Sequence, residues 1–224
     1  MGQVYVEFDN DVPRYVYTGC NKCSSMMGIS YCTVNNRGCC SYYPKFSLLE
    51  IQRMSKSLLG LDTLDKIIKQ PGTTVDRYII KSTGDFDKSL YEEYIKNSDG
   101  ILYKIPIDDK TIFFKTCPFV KTGLGCTISP RFRNSVCNFF ICNEVLDYPE
   151  LKLKFKPWIE NRNAYMSWVY KENIDLQYVL YENNLNLLKN YGDTISFLQE
   201  LPLNIYDFPN LEPIFFEDEN LKGA

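Results

Sequence analysis

Histidine is absent from all 224 residues. That single absence removes Ser-His-Asp and Cys-His catalysis, the His-Glu-x-x-His zinc proteases, zinc fingers with histidine ligands and the histidine-dependent zinc deaminases. Any metal site in this chain must therefore use thiolate, or thiolate with oxygen. There is also no excess of basic charge: 25 Lys and Arg face 28 Asp and Glu, a formal net charge of -3. No overall cationic footprint exists to neutralise phosphates, so a nucleic-acid partner is not expected. No stretch approaches the ~20 apolar residues of a membrane span. Residues Met1 to Asp9 do not run from basic to apolar as a leader would, so the expectation is a cytoplasmic chain without a membrane partner.

What is present is an ordinary hydrophobic fraction, 45%, in a chain long enough to bury a real core without covalent staples. The nine cysteines are thus not needed merely to hold a small scaffold together, and their odd number leaves any disulfide framework incomplete. In a reducing compartment, clustered thiols are more often metal ligands or redox groups. They fall into two groups: Cys20, Cys23, Cys32, Cys39 and Cys40, then Cys117, Cys126, Cys137 and Cys142, with none in residues 41 to 116. Such a gap predicts two halves of one site that the fold brings together.

Local patterns place these thiols. An extended arm or short strand over residues 1 to 19 leads through a Thr18-Gly19 turn into Cys20-x2-Cys23, a spacing that lets a tight knuckle aim two sulfurs at one ion. A second turn is expected at Asn35-Asn36-Arg37-Gly38. The adjacent Cys39 and Cys40 cannot both serve one ion comfortably, because consecutive side chains in extended backbone point to opposite faces. They serve two metals or two irons of one cluster, or else one of them is a packed or redox-active thiol. Ser47-Leu48-Leu49-Glu50 reads as a capping box opening a helix to Leu59, with Ile51, Met54, Ser55, Leu58 and Leu59 as its core stripe and Gly60 as its end. Asp62 or Thr63 is expected to cap a second helix to Lys69. A strand follows at Arg77 to Ser82, then a helix at Asp87 to Lys96. Ile101 to Ile105 and Thr111 to Lys115 read as a β-hairpin whose second strand delivers Cys117. Cys117-Pro118 is a pairing seen at iron-sulfur clusters, and Gly123-Leu124-Gly125-Cys126 is a tight glycine turn. Trp158, Tyr165, Val169, Leu176, Leu180, Leu187 and Tyr191 recur at intervals of seven and four, predicting one long helix or two that meet near Asn173. Asp193 or Thr194 caps a last short helix, and Glu217-Asp218-Glu219 forms an acidic tail.

The ordered set Cys20-x2-Cys23, Cys39-Cys40, a capped helix, Cys117-Pro118-Phe119, Gly125-Cys126-Thr127-Ile128, and Arg133 four residues before Cys137 resembles the YkgJ-type cysteine cluster family. Cys142 matches a more variable last cysteine. The resemblance spans roughly residues 18 to 142 and implies a zinc- or iron-chelating domain. Two departures stand out: fifteen residues, Cys32 among them, lie between Cys23 and Cys39, and the segment Arg133-Asn134-Ser135-Val136-Cys137-Asn138 lacks the family's proline and second arginine. The cysteine motif is also distantly similar to the flagellin lysine-N-methylase proteins, for which an iron-sulfur centre is implied.

The sequence thus predicts an α+β, mainly helical protein with a small β-hairpin. A cysteine-cluster metal-binding domain is expected over residues 1 to 142, with a helical C-terminal region, 143 to 224, packed on it. The candidate metal ligands are Cys20, Cys23, Cys39, Cys40, Cys117, Cys126, Cys137 and Cys142, and the candidate cofactors are zinc or an iron-sulfur cluster. Arg131, Arg133 and Lys121 are candidates to offset thiolate charge, and Tyr31, Tyr42 and Tyr43 to shield the site from water. Four readings follow: an all-cysteine metal protein open to redox chemistry or to support of protein modification, a zinc-stabilised module that binds another protein without catalysis, a disulfide-containing protein without metal, and a lysine-N-methylase-like transferase.

Overall fold

A computed structural model of the chain describes residues 2–22, 28, 30–32, 37–97, 107–122, 124–146 and 150–216. Within these residues the protein is α+β, 45% helix and 19% strand, with several small antiparallel sheets. The N-terminal arm is a complete hairpin, β1 (Gly2–Asp9) and β2 (Val12–Tyr17), with Asp9 opposite Val12 and Asn10 at φ 54° opening the two-residue turn. Asparagine tolerates this left-handed conformation better than most residues. The sheet is completed from the other end of the chain, where β10 (Ile214–Phe216), preceding the acidic segment that lies outside the described residues, pairs with Gly2 to Val4 of β1.

After β3 (Lys45–Ser47), α1 (Leu48–Ser55) begins where expected, with the Ser47 N–H donating to Glu50 Oε2 at 2.9 Å. It stops earlier than the sequence predicts. Lys56 and Ser57 break the helix, and the Ser57 side chain accepts from the Gly60 N–H at 3.1 Å as the cap of α2 (Leu58–Lys69). Gly60 therefore lies inside a helix rather than ending one. Leu58 and Leu59 leave the expected core stripe, at 87% and 52% exposed, because the new helix starts with a different face inward. Neither Asp62 nor Thr63 is the cap; each lies a turn inside α2.

A second sheet has the order β3-β5-β4, with β4 at Thr73–Val75 and β5 at Ile79–Ser82. Next come β6 (Asp85–Phe86) and α3 (Lys88–Lys96), capped by the Asp87 side chain, which accepts from Leu90 N–H at 2.9 Å. The expected first strand, Ile101 to Ile105, lies outside the described residues. The expected second strand is a 3-10 helix, Lys110–Phe114. Phe113 and Phe114 are both fully buried, in a small core with Tyr31, Tyr91 and Tyr94. Cys117 is still delivered by a strand: β7 (Lys115–Thr116) pairs with β6. Then follow the hairpin β8 (Val120–Lys121) and β9 (Gly125–Cys126), and the short helices α4 (Ser135–Asn138) and α5 (Asn143–Leu146).

The long periodic segment is one helix, α6 (Lys156–Glu182), about 40 Å long at 1.5 Å per residue. Trp158, Tyr165, Val169, Leu176 and Leu180 form its buried stripe. Asn173 does not break it. Its amide donates to Val169 O at 2.8 Å, and its Oδ1 accepts from Leu49 N–H at 2.9 Å, pinning the first turn of α1 against the middle of α6. The helix ends at Asn183, followed by Asn184 at φ 57°; Leu187 is buried beyond it, and α7 (Tyr191–Glu200) begins at Tyr191, with Asn190 preceding it. The main core is continuous from Val4 to Phe216 and draws on both sides of residue 142.

Glu50 is buried at 3% exposure, and burial raises its pKa despite the nearby Arg53 charge and the Ser47 hydrogen bonds. Because the folded value is raised, this carboxyl's contribution is fully present below the ordinary carboxylate pKa and is lost as pH rises through the folded value. Glu50→Gln keeps an acceptor for the Ser47 N–H. Its urea midpoint should lie close to wild type near pH 4 and rise above it increasingly toward pH 7; a difference that shrinks with pH would contradict this account of Glu50.

Candidate thiol centre

Three backbone contacts gather cysteines from distant parts of the chain. Cys40 follows a turn in which its N–H donates to Arg37 O at 3.3 Å, with Gly38 at φ 59°; Asn35-Asn36, where the expected turn starts, lies outside the described residues. The Cys117 N–H donates to Cys40 O at 3.0 Å, the Val120 N–H returns to Cys117 O at 3.2 Å, and Val120 lies opposite Cys126 in the β8–β9 pair. Gly125 takes φ 80° beside Cys126, with open space where a Cβ would sit, so conformation rather than crowding favours glycine there. Gly84 is the reverse case: a Cβ there would lie 2.0 Å from Thr116 O, so glycine lets the strand before Cys117 pass close by.

Cys137 is held from below. The Asn134 Oδ1 accepts from Cys137 N–H at 2.9 Å while its Nδ2 donates to Lys45 O at 3.0 Å, and the residue is buried. Arg133 Nε donates to Ile128 O at 2.7 Å, fixing the guanidinium where it acts on Cys40, Cys117 and Cys137 together.

Electrostatic neighbours separate the cysteines into two sets. Cys40, Cys117, Cys126 and Cys137 act on one another. Cys39 is acted on by Cys40, then by Cys20 and Cys142. Cys39 thus neighbours both Cys40 and the second set, and the pair lies in a turn, Ser41 N–H donating to Cys39 O at 2.8 Å, rather than in extended backbone. Cys23 lies outside the described residues. Burial, the largest cause, pushes the Cys39, Cys117 and Cys137 thiols up to about 12; neighbouring thiols push the same way, and Arg133 opposes them at Cys117 and Cys137. A backbone hydrogen bond from Phe119 also opposes the rise at Cys117. Cys137 is nevertheless exposed as a residue, which makes it the solvent-side member of its set. Burial raises Cys40 as well, against Arg133 and Arg37.

The remaining expectations divide. Tyr42 neighbours Cys137, and Tyr43 neighbours Cys32 and Cys117, whereas Tyr31 stacks on Phe114 at 5.3 Å in the small core. Arg131 turns to a separate cavity, and Lys121 is exposed. Arg37 is a site residue that sequence reasoning took for part of a turn. It is 3% exposed, donates to Gly38 O and Ile112 O at 2.7 and 2.6 Å, and lies beside Cys32, Cys39 and Cys40. Cys32 is buried, with its Sγ 3.8 Å from Phe113 O.

Among the described residues, no three Cys, Asp or Glu side chains form a ready-made metal site. The thiols influence one another through space without closing on a point. Their donor chemistry still fits a thiophilic cation: four thiols in one set, a fixed arginine, and two buried oxygens, Thr116 Oγ1 and Asn138 Oδ1, one residue from Cys117 and Cys137 and without a hydrogen-bond partner among the described residues. In comparisons with known proteins, no family model, curated protein or solved structure matches the chain.

Two substitutions test how the thiols are positioned. Asn134→Ala removes the links from Lys45 to Cys137 and should cost about 1–3 kcal/mol in urea unfolding. Gly84→Ala should cost a similar ~1–3 kcal/mol by overpacking against Thr116. Unchanged unfolding midpoints would show that these contacts do not hold the segments.

Proposed function

We propose that this protein binds metal through cysteine thiolates at two neighbouring centres, with zinc or iron-sulfur as the bound group. The observation that carries this reading is the convergence of Cys40, Cys117 and Cys126 through the Cys117–Cys40 backbone bond and the Val120–Cys126 register. Cys137 completes the first centre. Cys39, Cys20 and Cys142 supply the second, with Cys23 its fourth ligand through the Cys20-x2-Cys23 spacing. The resemblance to the YkgJ-type cysteine cluster family supports the same ligand set, and no observation favours the transferase alternative.

Four thiolates around a divalent zinc leave two negative charges and no open position. Arg133 beside the first centre, and buried Arg37 beside Cys39 and Cys40, offset that charge. A zinc-filled protein is then an interaction module whose partner is another protein. Iron-sulfur in the same thiolates would supply electron transfer. In either case this chain's residues hold the sulfurs, exclude water through the core behind Phe119 and Phe139, and set the local charge.

Protein purified without oxygen and assayed for zinc, iron and sulfide tests the proposal. About two zinc ions per chain, or iron with matching sulfide and visible colour, is the expected result. Cys40→Ser and Cys117→Ser should each remove the metal of one centre, Cys39→Ser that of the other, and Cys32→Ala none. Protein without metal, or loss of all metal in Cys32→Ala, would overturn the assignment.

A further inference from the structure

The structure contains a cavity of about 200 Å³ lined by Arg131 and Phe132 and by residues of the β1–β2 turn, α1, α6 and the segment after α7. Its wall carries three cations, Arg53, Lys56 and Arg131, against a single carboxylate, Asp11, and an aromatic side formed by Tyr165, Trp168 and Tyr206. Two of the cations are already engaged. Lys56 Nζ donates to Gln199 O at 2.5 Å and to Leu201 O, and Arg53 is hydrogen-bonded to the Tyr165 side chain and sits beside Glu50. Arg131 differs. Its guanidinium lies over the Phe132 ring, 4.8 Å from the centroid, and its Nε is buried with no hydrogen-bond partner among the described residues. The nearby Asp9 carboxylate is occupied by the Arg131 backbone N–H and by Ser129 Oγ, at 3.1 and 2.5 Å. On the aromatic side, Trp168 and Tyr206 lie with ring centroids 5.3 Å apart.

We propose that this cavity binds a small aromatic oxyanion, its phosphate or carboxylate held by Arg131 in the field of Arg53 and Lys56 and its ring packed against Trp168 and Tyr206. A guanidinium suits either oxyanion because its planar fork matches both. The cavity's walls combine apolar rings with few polar groups, as small-molecule sites do. This site is independent of the thiol centres.

Two tryptophans, Trp158 and Trp168, make intrinsic fluorescence a direct readout, since only Trp168 lines the cavity. Full-length protein is titrated at low salt with phenyl phosphate, benzoate, inorganic phosphate and benzyl alcohol. Phenyl phosphate or benzoate should give a saturable change with Kd below about 1 mM, and both inorganic phosphate and benzyl alcohol should bind at least about tenfold more weakly, a difference of ~1.4 kcal/mol. Whichever of the first two binds tighter identifies the oxyanion. Arg131→Gln should weaken binding about tenfold, Arg131→Lys less, and Trp168→Phe should abolish the fluorescence change. No saturation by either aromatic anion up to about 10 mM, equal binding of benzyl alcohol, or undiminished affinity in folded Arg131→Gln would overturn the proposal. The wild-type comparisons decide the matter even where a variant does not fold.

Discussion

The packing around Tyr15 is the contact on which the described structure most depends. Its ring meets Trp158 and Phe139 edge-on, each at 4.8 Å between centroids, and its hydroxyl donates to Trp158 O at 2.5 Å. Phe139 in turn stacks on Phe208 at 5.5 Å and packs on Tyr165. One aromatic cluster therefore joins the N-terminal hairpin, the segment that carries Cys137, the start of α6 and the chain after α7. Rings of this kind bury large areas and prefer edge-on or offset geometry, so the cluster fixes orientation as well as proximity. Burial raises the Tyr15 phenol far above its usual range, which keeps it a neutral donor to the helix carbonyl.

The thiol region is built outward from that cluster. Phe139 anchors the chain two residues past Cys137, Phe119 anchors it two past Cys117 and meets Phe46 at 6.1 Å, and Ile128 is buried two past Cys126. Three of the cysteine segments thus have a buried apolar residue at the same offset, and Cys117 and Cys126 themselves pack, partly buried, against the core. Desolvation makes thiolates costly there, and mutual repulsion adds to the cost. Arg133 and Arg37 act in the opposite direction. Burial nevertheless keeps these groups as neutral thiols in the unliganded protein.

Much of this was legible in local pattern. The capping box at Ser47, the Asp87 cap of α3 and the stripe from Trp158 to Leu180 depend on neighbours within a few residues, and each element begins or runs as those residues dictate. Errors arose where tertiary packing chose between locally similar outcomes. Lys56 and Ser57 divide what looks like one helix, and two buried phenylalanines lie in a 3-10 helix where a strand is expected. Asn173, a plausible break in α6, instead uses its amide to cap α1. The strand Ile214–Phe216 has no alternation long enough to be noticed and exists because β1 offers it an edge.

By itself, the sequence determined the kinds of chemistry available. Without histidine and with nine cysteines in two groups, imidazole-based sites are closed and thiols are the candidate ligands for a soft cation. The tertiary structure decided which thiols share a neighbourhood, that buried Arg37 stands among them, and that Arg131 lines a cavity while Arg133 lies beside the thiols although only Phe132 separates them. Those outcomes depend on long-range contacts such as Cys40 with Cys117 and Asn134 with Lys45, whose partners lie too far apart in the chain for any local periodicity to record them.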